Sequence, residues 1–374
     1  MSGRPTFTRA QVLAHRFAAQ GLDRGTDDPR RVAAWDLGLQ NTPDGAAAQS
    51  LAARLVGGAA HVPDLTDARR HVSVWATRGA PTVLHPGDAR RFAAALWPVD
   101  QADAVTRLAG NGTQLKQAGV DPVEAIATTA RAMSEVVTST MTKGEVSTAV
   151  SAVLPEQYIT WCRACEAHHL GDQLMRLAGL PAGLRLVVGV SPATLTPLPR
   201  WSGVPDGRLG TAALVLAYLA QLGPAGPAEV ASFLGTNQRP VRSIWPEGLV
   251  EVEVEGRRAF LPEDVVVTAG AAPAPEGVRL LPRSDPWMLA RDRDLIVPDR
   301  GVHRTLWPVI GHPGAVLADG EVVAAWRTKS SGSRLDVRVI PFGRLRPAVR
   351  RAVEDEAAHV ATLRGAADLA VRFE

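Results

Sequence analysis

The segment from Thr211 to Leu261 constrains the chain most. Thr211 to Leu222 has the composition and spacing of a core helix, and Gly223-Pro224-Ala225-Gly226 breaks it. Pro227 to Leu234 reads as a second helix ended by Gly235, and Thr236 caps a third from Asn237 to Trp245. Two β-prone runs follow, Leu249 to Val254 and Arg258 to Leu261, with Glu255-Gly256 as a tight turn between them. Helix, helix, helix, hairpin is a winged helix-turn-helix. If the third helix enters a major groove, Asn237, Gln238, Arg239 and Arg242 stand where base edges and phosphates are met. The competing role is a packing module, which Pro240 near the helix start favours.

Helical signals also fill the first half. Thr8 is an N-cap for Arg9 to Gln20, with Val12, Leu13, Phe17 and Leu22 on one face. A helix is expected from Pro29 toward Asp36, then a short strand or turn over residues 37–43. Further helices are expected over 45–55, 87–97, 100–119 with a break at Gly110-Asn111-Gly112, and 121–138. Lys143-Gly144-Glu145-Val146 opens another to Leu154, before a β run from Leu184 to Val188, which is a weaker echo of the winged pattern. The Ala/Pro-rich stretch Thr268 to Gly277 reads as a linker. After it, Gly314 to Trp326 and Ser333 to Ile340 read as strands and Arg346 to Gly365 as a closing helix. The expected fold is mostly α with small β wings. It comprises winged units over 1–120, 121–205 and 206–270 and a basic C-terminal α/β portion over 271–374.

Charge is informative once divided. The 374 residues carry net +3, with 38 arginines and only three lysines. A GC-rich genome accounts for such a bias, and so does phosphate contact, where the planar guanidinium fork matches paired oxygens. Between Arg279 and Arg351 there are 13 Arg and one Lys against 7 acidic residues, so this stretch carries +7 and points to a polyanion partner. No apolar run approaches the roughly 20 residues of a membrane-spanning helix. Met-Ser-Gly-Arg-Pro has no apolar stretch behind it to make a secretory signal, and two cysteines make no disulfide framework. A cytosolic protein with no membrane partner is expected.

Few motifs carry chemistry. Cys162-Arg163-Ala164-Cys165 followed by His168-His169 offers three zinc ligands without an obvious fourth; two buried thiols in a helical core is the plainer reading. The P-loop, Gly-x-Gly-x-x-Gly, Gly-x-Ser-x-Gly and His-Glu-x-x-His signatures are missing.

Several segments together resemble the bacterial helix-turn-helix family whose characterised members are alkylpurine and interstrand-crosslink DNA glycosylases. They are Gly38-Leu39-Gln40-Asn41-Thr42-Pro43, Trp75-Ala76-Thr77-Arg78-Gly79-Ala80-Pro81, Leu280-Leu281-Pro282-Arg283-Ser284-Asp285-Pro286 with Arg291-Asp292-Arg293, and Val316 through Arg327. The resemblance covers nearly the whole chain and implies tandem winged helices in a C-shaped arrangement around duplex DNA. Its catalytic motif is Gln-x-Gln, or Gln-x-Asp in the crosslink branch. Here Gln40 fills the first position, Asn41 the variable one, and Thr42 replaces the second polar residue.

The resemblance implies a monofunctional glycosylase that excises bulky or cationic alkylpurines, works as a monomer and needs no metal or cofactor. An N7-alkylated purine is positively charged, so its glycosidic bond is already weak. Positioning a water at C1′ and stabilising oxocarbenium charge then suffice. Gln40 is the candidate water-positioning residue and Thr42 its assistant. On a strand the two would point the same way and Asn41 the opposite way; Asn41 is a candidate DNA contact. Arg283, Arg291, Arg293 and Arg327 are candidate phosphate contacts, as are Arg239 and Arg242. Arg78 either lines the same channel or makes a structural salt bridge. Asp36 and Asp44 are nearby acids. A non-catalytic duplex-binding protein with a decayed motif, and a zinc-bearing interaction module, are the rival readings.

Overall fold

A computed structural model of the chain describes residues 3–163, 165–204 and 210–374. Helix and strand are mixed throughout, in two compact units. The first gathers residues 1–64, 216–229 and 246–374; the second holds 65–215 and 230–245. The β structure extends well beyond the small wings that the sequence suggests.

In the first unit, Thr8 caps the helix Arg9–Ala19. Its hydroxyl accepts the Gln11 N–H (3.2 Å), while the Gln11 side chain accepts the Thr8 N–H (2.9 Å). The apolar face of this helix packs with Phe7 against the hairpin Leu249–Val254/Arg257–Pro262, burying Val12, Val252, Val254 and Leu261. Glu255 and Gly256 turn the hairpin, both at positive φ (47° and 76°), as a two-residue turn matched to strand twist requires. Thr6–Phe7 adds to the hairpin as a parallel edge, paired with Glu253 and Val254.

The C-terminal sheet of this unit runs Val278–Leu281, Gly314–Ala318, Glu321–Ser331, Arg334–Pro341, each antiparallel to the last. The helix Pro347–Leu363 then crosses over, and Asp368–Phe373 returns parallel to Arg334–Pro341. Val316, Ala324, Leu335, Val337 and Val339 bury against Val353 and Ala357 of that helix. The single strand expected over 314–326 is therefore two strands, turned at Asp319 and Gly320 in left-handed backbone (φ 49° and 80°). The last strand has no counterpart in the sequence reading. The helix expected from Pro29 to Asp36 is also corrected to two three-ten turns, Pro29–Arg31 and Ala33–Leu37, because Val32 between them is extended (ψ 115°). The expected linker begins later than Thr268, since Glu263–Gly270 is helical.

In the second unit, strands lie in the order Pro81–Leu84, Val72–Trp75, Leu184–Leu186, Thr194–Pro197, Met141–Thr142, with neighbours antiparallel. Helices Gln101–Leu108, Gly110–Gln117, Pro122–Val136, Lys143–Ser151 and Asp172–Gly179 surround a core of Trp75, Leu108, Ile126, Met133 and Leu174. Asp121 and Thr142 cap two of them as local sequence demands. The break at 110–112 falls at Ala109 (φ 52°), one residue early.

All elements of the expected winged unit form: Thr211–Leu222, Pro227–Leu234, Gln238–Ser243 and the hairpin. The hairpin belongs to the first unit and Gln238–Ser243 to the second. Asn237, not Thr236, is the N-cap residue; the Thr236 hydroxyl donates instead to the Asp103 carboxylate. The cysteines also need correction. They lie on a hairpin, Ile159–Cys162 with Ala167–Leu170, where Cys162 is half-buried and Cys165 exposed. Among the described residues no helix is long and apolar enough to cross a membrane.

Candidate active site

Leu39, fully buried, anchors the two-residue strand Leu39–Gln40, and Gly38 (φ 74°) lets the chain turn into it from the three-ten helix. The strand stops at Gln40, so strand alternation does not govern Thr42, which sits in the bend that follows. Asn41 spends both ends of its amide inside the loop. Its Nδ2 donates to Asp44 (2.8 Å) and its Oδ1 accepts the Ala47 N–H (3.1 Å) at the start of the helix Ala46–Ala52.

The segment 283–284 holds this loop by its backbone. Ser284 Oγ donates to the Gln40 carbonyl and Arg283 Nε to the Thr42 carbonyl, each at 3.1 Å. Both side chains of the pair are thereby left for other work. Neither the Gln40 amide nor the buried Thr42 Oγ1 makes a hydrogen bond to a described residue.

What fixes 283–284 lies beneath. Asp285 and Arg54 are both 0% exposed and form a two-pronged ion pair (2.7 and 2.9 Å). Arg54 also donates to Gln20 Oε1 (2.9 Å), and Asp285 caps Pro286–Leu289 through the Trp287 N–H. Gln49, on the helix after the loop, donates to the Leu280 carbonyl (3.0 Å). A second buried pair, Arg16 with Asp292 (2.5 and 2.9 Å), fixes the chain between Arg291 and Arg293. Fully desolvated charge is tolerated only with this degree of pairing.

Three of the expected phosphate contacts, Arg283, Arg291 and Arg293, act on His312. Burial first, then the Arg293, Arg283 and Arg291 guanidiniums, push the His312 imidazole below its ordinary range. It is therefore neutral at pH 7, and the positive charge here is that of the arginines. Arg293 stacks over Trp307 (4.9 Å to the ring centroid). A Cβ added at Gly311 would lie 3.9 Å from Arg327 Nη1, so Arg327 borders the same loop. At the tip of that loop Val309 and Ile310 are 99% and 85% exposed. The cavities of about 460 and 620 Å³ in this unit are lined by other residues, Asp36 among them in the larger, while Gln40 and Thr42 are both half-buried. A cluster of arginines suits a polyanion.

The other three arginines belong to the second unit. Arg239 and Arg242 are exposed on Gln238–Ser243, with Pro240 and Val241 buried beneath. Arg242 donates to Gln238 Oε1 (3.0 Å). Arg78 sits in left-handed backbone (φ 61°), packs its aliphatic stem on Gly235 and makes no ion pair with a described residue. Sequence reasoning missed Arg54, Trp307 and His312. The first is invisible because its partner is 231 residues away. The run Trp307-Pro308-Val309-Ile310-Gly311-His312-Pro313, rich in turn formers and aromatic rings within the basic third, was a signal for the others.

A family model described as DNA glycosylase AlkZ-like matches residues 33–363. Among curated proteins, an interstrand DNA cross-link repair glycosylase of Streptomyces sahachiroi is 32% identical over 191 residues. That stretch is 46% of this chain and 48% of the relative, so the match spans about half of the relative's length. Among solved structures, the Streptomyces sahachiroi DNA glycosylase AlkZ superposes with a TM-score of 0.76, over 99% of this chain and 100% of that one. The identity there is 22%, a likeness of fold.

Proposed function

The chain belongs to the AlkZ-like DNA glycosylase family, and from that premise we propose that it hydrolyses the N-glycosidic bond of bulky or cationic alkylated purines in duplex DNA. The observation that carries this reading is the loop 40–42. It is held by its carbonyls through Arg283 and Ser284, which leaves the Gln40 amide and the Thr42 hydroxyl unspent beside an arginine cluster.

In this reading Gln40 orients the attacking water through its amide oxygen, and Thr42 supplies a second hydrogen bond to it. Neither group is a strong base, and none is needed when the leaving group is a cationic base that departs neutral. Arg283, Arg291, Arg293 and Arg327 take phosphates, fixing the strand so that C1′ meets the water. Asn41, already bonded to Asp44 and Ala47, keeps the loop in shape. Arg239 and Arg242 on Gln238–Ser243 contact duplex as the third helix of a winged unit, one of the tandem units with boundaries near 120, 205 and 270; Arg78 adds to the same binding surface. The protein acts as a cytoplasmic monomer, and the hydrolysis uses no cofactor.

Single-turnover release of N7-methylguanine, and of a bulkier N7 adduct, from duplex DNA tests this. A catalysed rate that Gln40→Ala lowers on the order of 100-fold while duplex binding persists is expected. No release from any adduct, with salt-sensitive duplex binding intact, would replace the enzyme by a non-catalytic binding protein on the same scaffold.

A further inference from the structure

We infer that the hairpin 159–170 binds one divalent transition-metal ion, of the zinc class, through Cys162, Cys165 and His169. The strand register decides which histidine serves. Thr160 pairs with His169, Trp161 with His168, and Cys162 with Ala167. Successive residues of a strand point to opposite faces, so Cys162 and His169 share one face. Trp161 and His168 share the other, their rings 5.1 Å apart. The turn then brings Cys165 back, and the two sulfurs and the His169 ring nitrogen all lie within 4.8 Å of one another. Tetrahedral coordination at zinc–sulfur and zinc–nitrogen bond lengths sets ligand atoms roughly 3.6 to 3.8 Å apart, so a small closure completes the site.

The imidazole is already oriented. Its Nδ1 bonds the Leu170 carbonyl (2.7 Å), which fixes the tautomer that leaves the Nε2 lone pair available. That Nε2 is buried, and the ring's side-chain interaction is with the Cys162 thiol. A buried ring nitrogen beside two thiols is what a ligand looks like before its metal. Binding would release the two thiol protons to solvent and leave one coordination position for water or an external ligand. Thiolate and imidazole donors select zinc, or cobalt as its spectroscopic substitute, over magnesium or calcium. The ion would staple a hairpin whose tip is otherwise exposed.

The test uses the full-length, untagged, reduced protein. Metal analysis should find about one bound zinc per chain, and cobalt substitution should give thiolate-to-cobalt charge-transfer absorption. Cys162→Ser and Cys165→Ser should remove both signals, and His169→Ala should weaken zinc binding by about tenfold or more. Zinc should also protect the wild-type thiols from alkylation and a chelator restore their reactivity, a readout that needs no variant. The inference falls if the reduced protein takes up no zinc, if the thiols stay unprotected, or if the cysteine variants keep full metal content. It falls equally if the pair cycles only between dithiol and disulfide.

Discussion

Loop 38–45 and hairpin 159–170 are both short segments carrying polar side chains, but their supports differ. The buried ion pairs Arg54–Asp285 and Arg16–Asp292 fix the chain around 283–293, and two hydrogen bonds from Arg283 and Ser284 grip the loop's carbonyls. The hairpin has a four-pair ladder and, at its tip, two sulfurs and a ring nitrogen within 4.8 Å of one another. One segment gets its shape from distant parts of the chain; the other gathers donors that a metal would fix. In the proposed reading the loop presents a neutral amide in register with a polyanion, which calls for the first kind of support.

Removing the brace should have the largest effect. Asp285→Ala leaves Arg54 as an unpaired buried charge and should cost about 3–5 kcal/mol in denaturant unfolding. Replacing both partners by apolar residues of similar volume should recover most of it. A loss below about 1 kcal/mol for Asp285→Ala would break the claim that the pair supports the loop.

The next effect is in pH. His15, on the helix that carries Arg16, is held neutral by burial first and then by the Arg16 charge, which lower it to about 4. Between about 6.5 and 4 the unfolded chain takes a proton that the native state refuses. Stability is therefore full above pH 6.5 and falls as the pH drops through that window, by about 3 kcal/mol in all. His15→Gln should flatten this dependence; an unchanged acid limb would place its origin elsewhere.

Gln40→Ala probes the loop's chemistry instead of its support. Single-turnover base release should fall on the order of 100-fold, about 2.7 kcal/mol. Stability should move by no more than about 0.5 kcal/mol, because only the carbonyl of Gln40 is used structurally. Equal losses in rate and in duplex affinity would make Gln40 part of the binding surface alone. The smallest effect is expected at Arg327, which is exposed. Arg327→Ala should lower the slope of log affinity against log salt by about one and change all duplex sequences alike. A sequence-dependent loss would turn it from a phosphate contact into a base contact.

What the sequence determined by itself was local. Thr8 as an N-cap and the Glu255-Gly256 turn are present as read, and Gln11, Thr142 with Glu145 and Asp121 before Pro122 likewise specify backbone geometry from neighbouring residues. Gln40 and Thr42 were legible through the motif around them, and Arg283, Arg291, Arg293 and Arg327 through the charge of the C-terminal third. Tertiary structure alone decided what those residues rest on. Arg54 meets Asp285 across 231 residues, Arg16 meets Asp292 across 276, and Thr6–Phe7 pairs with Glu253 and Val254. It also chose His169 over His168, since strand register, not proximity to the cysteines, sets which ring shares their face. Local propensity is a property of a few adjacent dihedrals. The partner of a buried charge is set by which distant surfaces exclude water together, and no short stretch of sequence records that.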